Sequence, residues 1–301
     1  QIDISVALRR VATAYDIFPA SVRSARTARA SLISEGNPLQ GERPNRAEWA
    51  KGLSIKPYSE GMEVLYFVGC YFSYDPRMKK VAIATTDILK KAGVEFGILG
   101  SQENCCGESI RKTGSEEVFK NLARANIKTF IDNGVRKIVV SSPHCYHTFK
   151  NESPEFMVNF EVVHMSQYLL ELMNAGRLKL TQSFSKRVTY HDPCYLGRHN
   201  DIYDPPRDLL GQISGIELVE MEAYGKNSLC CGGGGGRIWM DTPQEERFSD
   251  LRLKQAQATG ADVLATACPY CMTNFEESRL NLEYEDILEI KDITEIINDS
   301  L

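Results

Sequence analysis

Three cysteine-bearing segments of this 301-residue chain recur in the same order, and that repeat constrains its fold more than any other feature. "VLYFVGCY" at 64–71 matches "VTYHDPCY" at 188–195, and "NCCGES" at 104–109 matches "LCCGGG" at 229–234. "GVRKIVVSSPHCYHTF" at 134–149 matches "GADVLATACPYCMTNF" at 260–275. The offset drifts only from 124 to 126 residues, so the chain is expected to fold as two units of one topology. Its length is sufficient for each unit to own a core.

Within each half the pattern alternates between strand and helix. Short apolar or β-branched runs at 64–68, 137–140, 188–190 and 263–266 are bounded by Gly, Pro or polar residues, as buried parallel strands are. Amphipathic stretches at 79–91, 116–133 and 244–259 each stop at a glycine, where a helix ends. The expected architecture is therefore α/β: two tandem, sequence-related, Rossmann-like units with mainly parallel sheets, at 58–180 and 181–301. Residues 1–57 form a helix-period, basic extension followed by the turn-rich linker "EGNPLQGERPNRAEW". In such sheets ligands bind at the carboxyl ends of strands, and the cysteines fall there.

Nine cysteines, none before position 70, are too many and too clustered for an ordinary core. The opening residues carry charges where a signal peptide would be apolar, and no run approaches the length of a spanning helix, so a cytoplasmic location with reduced thiols is expected. The chain opens on Gln1 rather than Met and is expected to be a processed product or a fragment. A net charge of −5 gives no reason to expect nucleic acid or an anionic membrane as a direct partner.

The second half brings Cys194, Cys230, Cys231, Cys268 and Cys271 to predicted strand ends. Five sulfurs exceed what one tetrahedral zinc accepts, and adjacent cysteines must diverge to reach different metal atoms, which suits an iron–sulfur cluster. Five glycines follow the adjacent pair. Gly232, Gly233 and Gly234 free the backbone N–H groups to approach anionic sulfur and leave space beside the metal. The run lacks the Gly-Lys-Ser/Thr ending of a phosphate loop.

The spacing C-x(n)-C-C-G-x(n)-C-P-x-C, twice in tandem, resembles the cysteine-rich CCG domain of the catalytic subunits of heterodisulfide reductase. The resemblance covers residues 58–301. It implies a noncubane 4Fe-4S cluster held by all five cysteines of the second half. In the first half Cys70, Cys105, Cys106 and Cys145 align, but Ser142 stands where the pattern has a cysteine. Four thiols suit a cubane 4Fe-4S cluster, a zinc ion or an empty vestigial site, with His144 and His147 adjacent as alternative ligands. The amino-terminal segment resembles the tail of the ferredoxin module that is fused ahead of the CCG domains in some of those catalytic subunits.

His191 precedes Cys194 by three residues and is a candidate proton or hydrogen-bond donor to a thiolate; a satisfied histidine in a turn is the plain alternative. Arg198, His199 and Arg237 are candidates to attract an anionic substrate. The resemblance implies an iron–sulfur oxidoreductase subunit that delivers electrons to a small-molecule disulfide at the second-half cluster. An electron-donor subunit or a membrane cytochrome b and quinone partner would then hold it peripheral to a membrane. Two competing expectations stand beside it: an electron relay between electron-transferring flavoprotein or a dehydrogenase and menaquinone, and a zinc-bearing structural subunit.

Overall fold

A computed structural model of the chain describes residues 2–15, 17 and 23–301. Two amino-terminal helices, α1 (Ile2–Ala14) and α2 (Arg23–Glu35), precede a 3-10 helix at Arg43–Ala50. The first half contains β1 (Val64–Phe67), α3 (Cys70–Tyr74), α4 (Pro76–Lys91), β2 (Phe96–Gly97), α5 (Glu108–Lys112) and α6 (Glu116–Asp132). It continues through β3 (Lys137–Val140), α7 (Pro143–His147), β4 (Glu161–His164) and α8 (Met165–Asn174). The second half runs β5 (Arg187–Tyr190), α9 (Asp204–Gly211), β6 (Glu217–Val219), α10 (Phe248–Ala258), β7 (Val263–Thr266), α11 (Pro269–Asn281), β8 (Glu289–Asp292) and α12 (Ile293–Asp299).

Each half folds into a four-stranded sheet, ordered β2-β1-β3-β4 and β6-β5-β7-β8, with every pairing parallel. All four residues of β1 and of β7 are buried, which is why these strands read as continuous apolar runs rather than alternating ones. The registers Leu65 to Ile138 and Thr189 to Leu264 set the strand ends level, so the loops after β1 and β3, and after β5 and β7, leave the same edge together. This is the point where the strand order reverses and a crevice opens. The helix expected at 244–259 begins only at Phe248, because 244–246 form a 3-10 turn and Arg247 is extended.

The halves interlock through their outer helices: α12 packs on α4, and α8 on α9. Arg77, in the first turn of α4, is the polar tie across that boundary. It donates to both carboxylate oxygens of Glu295 at 2.7 and 2.8 Å, to Glu276 Oε1 at 3.0 Å and to the Ile290 carbonyl at 2.9 Å. The amino-terminal segment is packed rather than trailing. Ala28 and Leu32 of α2 are buried, as are Arg46 and Trp49, and Arg9 donates to the carbonyls of Lys112 and Gly235, one in each half. Among the described residues no helix is long and apolar enough to cross a membrane.

Replacing Arg77 by alanine removes four hydrogen bonds that join the halves. A loss of about 1–3 kcal/mol is expected from the urea unfolding midpoint, with Glu295→Ala adding little in the Arg77→Ala background because the two share one interaction.

Candidate functional site

All nine cysteines are free thiols, and they gather into two groups at the facing sheet edges. In the first half Cys70 opens α3 directly after β1, Cys105 and Cys106 lie in the loop ahead of α5, and Cys145 lies in α7 after β3. These four are buried, with Cys145 Sγ 3.4 Å from Cys106 Sγ and hydrogen bonds linking Cys70 to Cys105 and Cys105 to Cys106. Ser142 is buried too and bonds Cys145, so the hydroxyl occupies the place of the missing fifth thiol.

The second half repeats the arrangement with five thiols. Cys194 Sγ is 4.0 Å from Cys230 Sγ, and further hydrogen bonds run from Cys230 to Cys231, to Cys271 and to Cys268. Cys231, Cys268 and Cys271 are buried, whereas Cys194 and Cys230 are part-exposed. Crowding divides the thiols. Hydrogen bonds from Cys194 and Cys231 hold Cys230 far below the ordinary thiol range. Cys268 is lowered to about 5, against the effect of burial, by hydrogen bonds from Cys271 and His144. Cys194 and Cys231, donating to Cys230, and Cys271, penalised by burial, are pushed well up. Such a set ionises together only around a cationic centre.

The glycines after Cys231 serve separate ends. Gly232 adopts φ +88°, a conformation L side chains rarely take, and turns its N–H onto Cys230 Sγ at 3.3 Å. Gly107 repeats this in the first half, with φ +84° and 3.4 Å to Cys105 Sγ. Gly233 lies against the Asn274 amide that donates to the Cys231 carbonyl, and a Cβ on Gly234 would stand 3.6 Å from Cys194 Sγ. A Cβ on Gly236 would meet Thr113 Cγ2 at 2.6 Å, so the end of the run presses on the first half.

His191 is fully buried, with a ring nitrogen within 4.8 Å of the sulfurs of Cys231 and Cys271. Arg252 Nε donates to its Nδ1 at 3.1 Å, which leaves the proton on Nε2, an atom without a hydrogen-bond partner. Burial, then the charge of Arg252, holds the imidazole well below its ordinary pKa. A neutral ring so placed offers sulfur a hydrogen bond and has no second proton to give. Of the other candidates, Arg198 lines the cleft at Cys194 and Cys230 and donates to the Ser228 carbonyl, while Arg237 turns outward to Glu246 at 3.7 Å. His199 stacks on Tyr195 at 4.5 Å, and His147 stands 5.4 Å from it.

Between the two thiol groups runs a stack of four rings. Tyr71 meets Tyr270 at 4.7 Å, Tyr270 meets His144 at 4.1 Å, and His144 meets Tyr195 at 4.1 Å. The repeat equates Tyr71 with Tyr195 and His144 with Tyr270, so the stack is pseudo-symmetric about its centre. His144, expected as a ligand to its own half, instead reaches across to Cys268 and faces Glu108 Oε2 at 3.1 Å. Sequence reasoning missed this stack, together with Arg46 and Glu103. The one signal for it was an aromatic or histidine ring beside a cysteine in both copies of two motifs.

The donor set fits an iron–sulfur cluster at each site. Four and five thiols converge without disulfides, backbone N–H groups face sulfur, and a ring nitrogen of His191 lies beside the second group. Gly69 and Gly234 keep Cβ-sized space open beside Cys145 and Cys194.

A family profile described as the cysteine-rich CCG domain matches residues 64–150 and 188–276. The chain is 38% identical over 286 residues to the probable iron-sulfur-binding oxidoreductase FadF of Bacillus subtilis, covering 92% of this chain and 41% of that protein. It is 38% identical to the EtfAB:quinone oxidoreductase of Syntrophomonas wolfei, covering 78% and 34%. Identity is 34% to a subunit of the dihydromethanophenazine:CoB–CoM heterodisulfide reductase of Methanosarcina mazei, covering 88% and 65%. The chain thus spans about a third to two thirds of these relatives. With the profile matched twice, on the segments that carry all nine cysteines, the chain belongs to the cysteine-rich CCG domain family.

Proposed function

We propose that the chain is an electron-transferring part of an iron–sulfur oxidoreductase, in which the first site is interior and the second delivers electrons to an external acceptor. One observation carries this reading: all four first-site thiols are buried, whereas Cys194 and Cys230 of the second site reach the surface. A bound cluster supplies one-electron transfer. The residues around it decide where electrons can go. Phe72 and Leu99 pack with the first-site cysteines in one core, and the rings of Tyr71, Tyr270, His144 and Tyr195 lie in contact between the sites. Cys70, Cys105, Cys106 and Cys145 would hold a cubane 4Fe-4S cluster, or a zinc ion if the site is structural. Cys194, Cys230, Cys231, Cys268 and Cys271 would hold the noncubane 4Fe-4S cluster.

The relative named EtfAB:quinone oxidoreductase supports a relay between an electron-transferring flavoprotein and a quinone. The quinone-side partner would hold the protein at the membrane surface. The ring-filled interior favours this task, because the cavity that the first-site cysteines line with Tyr270 is only about 20 Å³, too small for a bulky substrate. A second reading, reduction of a small-molecule disulfide at the second site, is favoured by Cys194 and Cys230 opening on a cleft lined by Arg198. There the guanidinium would steady an anionic substrate, and the heterodisulfide reductase relative supports it.

Holoprotein reduced by an electron-transferring flavoprotein is expected to reduce a menaquinone analogue faster than a mixed disulfide; the reverse preference selects the second reading. Cys230→Ser should slow delivery to either acceptor by about tenfold or more, with the first-site paramagnetic signal intact. Unaltered delivery would sink the assignment of the second site as the exit. Ser142→Cys completes a fifth thiol in the first site, and its spectrum should change there alone; an unchanged first-site spectrum would mean no cluster occupies it.

A further inference from the structure

Arg46 enters the first site from outside the repeat. It lies in the 3-10 helix Arg43–Ala50, ahead of the first strand, and its side chain is 2% exposed. Nη2 donates to Cys70 Sγ at 3.6 Å and to Glu103 Oε1 at 2.6 Å, and Nε donates to the same oxygen at 3.2 Å. Glu103 in turn accepts the backbone N–H groups of Val68 and Gly69, at 3.0 and 2.9 Å, from the two residues before Cys70. The carboxylate therefore fixes the strand exit and the guanidinium at once. The Tyr74 side chain is a further neighbour of Arg46, with the guanidinium 5.8 Å from the ring centre. A buried guanidinium held by a carboxylate and bonded to sulfur places a fixed cation against Cys70 of the first site.

The second half handles its arginine differently. Ser228 is the repeat equivalent of Glu103, two residues before the adjacent cysteines, and it accepts from Arg252 Nη2 at 3.1 Å. The remaining donors of Arg252 go to His191, the Ala223 carbonyl and Gln255. A neutral imidazole thus stands where the first site has a cation in contact with a thiol.

We infer that Arg46 is a positioning residue of the first site, holding Cys70 and stabilising the added negative charge of the reduced state. This rests on the iron–sulfur reading of that site. A cation in a buried setting favours the more negative of two redox states, because the low local dielectric leaves its field unscreened. Arg46 makes the first site easier to reduce without altering the second.

Redox titration of the intact holoprotein, followed by paramagnetic resonance, tests this, with the second-site signal as internal control. Arg46→Gln should make the first site about tenfold harder to reduce, a fall of about 59 mV, and Arg46→Lys should restore most of that fall. The double variant Arg46→Gln/Glu103→Gln leaves no buried unpaired carboxylate, and it should shift in the same direction, since the guanidinium and not the carboxylate touches sulfur. An unchanged first-site potential in both glutamine variants overturns the inference, as does an equal fall at both sites. If neither glutamine variant retains the first cluster, retention in Arg46→Lys supports the role of the charge, and loss there too refutes it. Lack of first-site iron in the unaltered protein overturns the iron–sulfur reading of that site, and this assignment with it.

Discussion

The structure depends on holding sulfur anions together where water is absent. Two unit charges 4 Å apart repel by roughly 4 kcal/mol at an effective dielectric constant near 20. The sulfur pairs Cys106–Cys145 and Cys194–Cys230 are 3.4 and 4.0 Å apart, in sets of four and five thiols. Neither set is stable fully ionised on its own, and a core of metal cations is what relieves it. The protein contributes the remainder in small, fixed donors: the N–H of Gly107 and Gly232 and the guanidinium of Arg46. Each is fixed before any charge arrives, so little reorganisation is needed when an electron is gained.

That arrangement follows from the parallel sheet. Strands that all run one way put their exit loops on one edge, and three successive loops carry the thiols there in each half. Pseudo-symmetric packing, α12 on α4 and α8 on α9, then turns the two edges toward each other. The rings of His144 and Tyr270, from the variable position of the C-P-x-C motif and its S-P-x-C counterpart, stack at the centre. The domain boundary is therefore part of both sites. Tyr270 bonds Ser109 of the first half while His144 bonds Cys268 of the second, so each half supplies a neighbour to the other half's site.

Much of this was legible in the sequence because it is local or periodic. The buried strands announced themselves as apolar runs, the helix ends as glycines, and the duplication as an offset that barely drifts. What could not be read was tertiary. The residues from 36 to 50 are rich in Gly, Pro and Asn, a composition that reports turns and says nothing of contacts. Yet Asn37 is fully buried, making hydrogen bonds with the backbone of Leu39 and Gly41, and Arg46 lies against Cys70. Irregular backbone buried this well has its polar groups satisfied by specific side chains, which no periodicity encodes. His144 shows the same limit: adjacency to Cys145 suggested a ligand of its own site, but a helix places consecutive side chains on different faces, and this one leaves its own half.

The differences between the halves matter as much as the repeat. Position for position, Glu103 faces Ser228, Glu108 faces Gly233, and Ser142 faces Cys268. Each of these differences changes the volume or the charge around the first site. Glu103 brings an arginine onto sulfur, the side chain of Glu108 occupies volume that Gly233 leaves open, and Ser142 removes one thiolate. The first site has one thiolate fewer, and the guanidinium on its sulfur is paired with the Glu103 carboxylate. The second site has five thiols, the neutral His191 beside them and the His144 ring, its pKa raised to about 10, on Cys268. Two identical sites in series would offer electrons no thermodynamic preference. On the proposed reading the divergence of the copies builds in such a preference, and the part-exposed thiols, Cys194 and Cys230, belong to the copy that kept its fifth cysteine and its glycines.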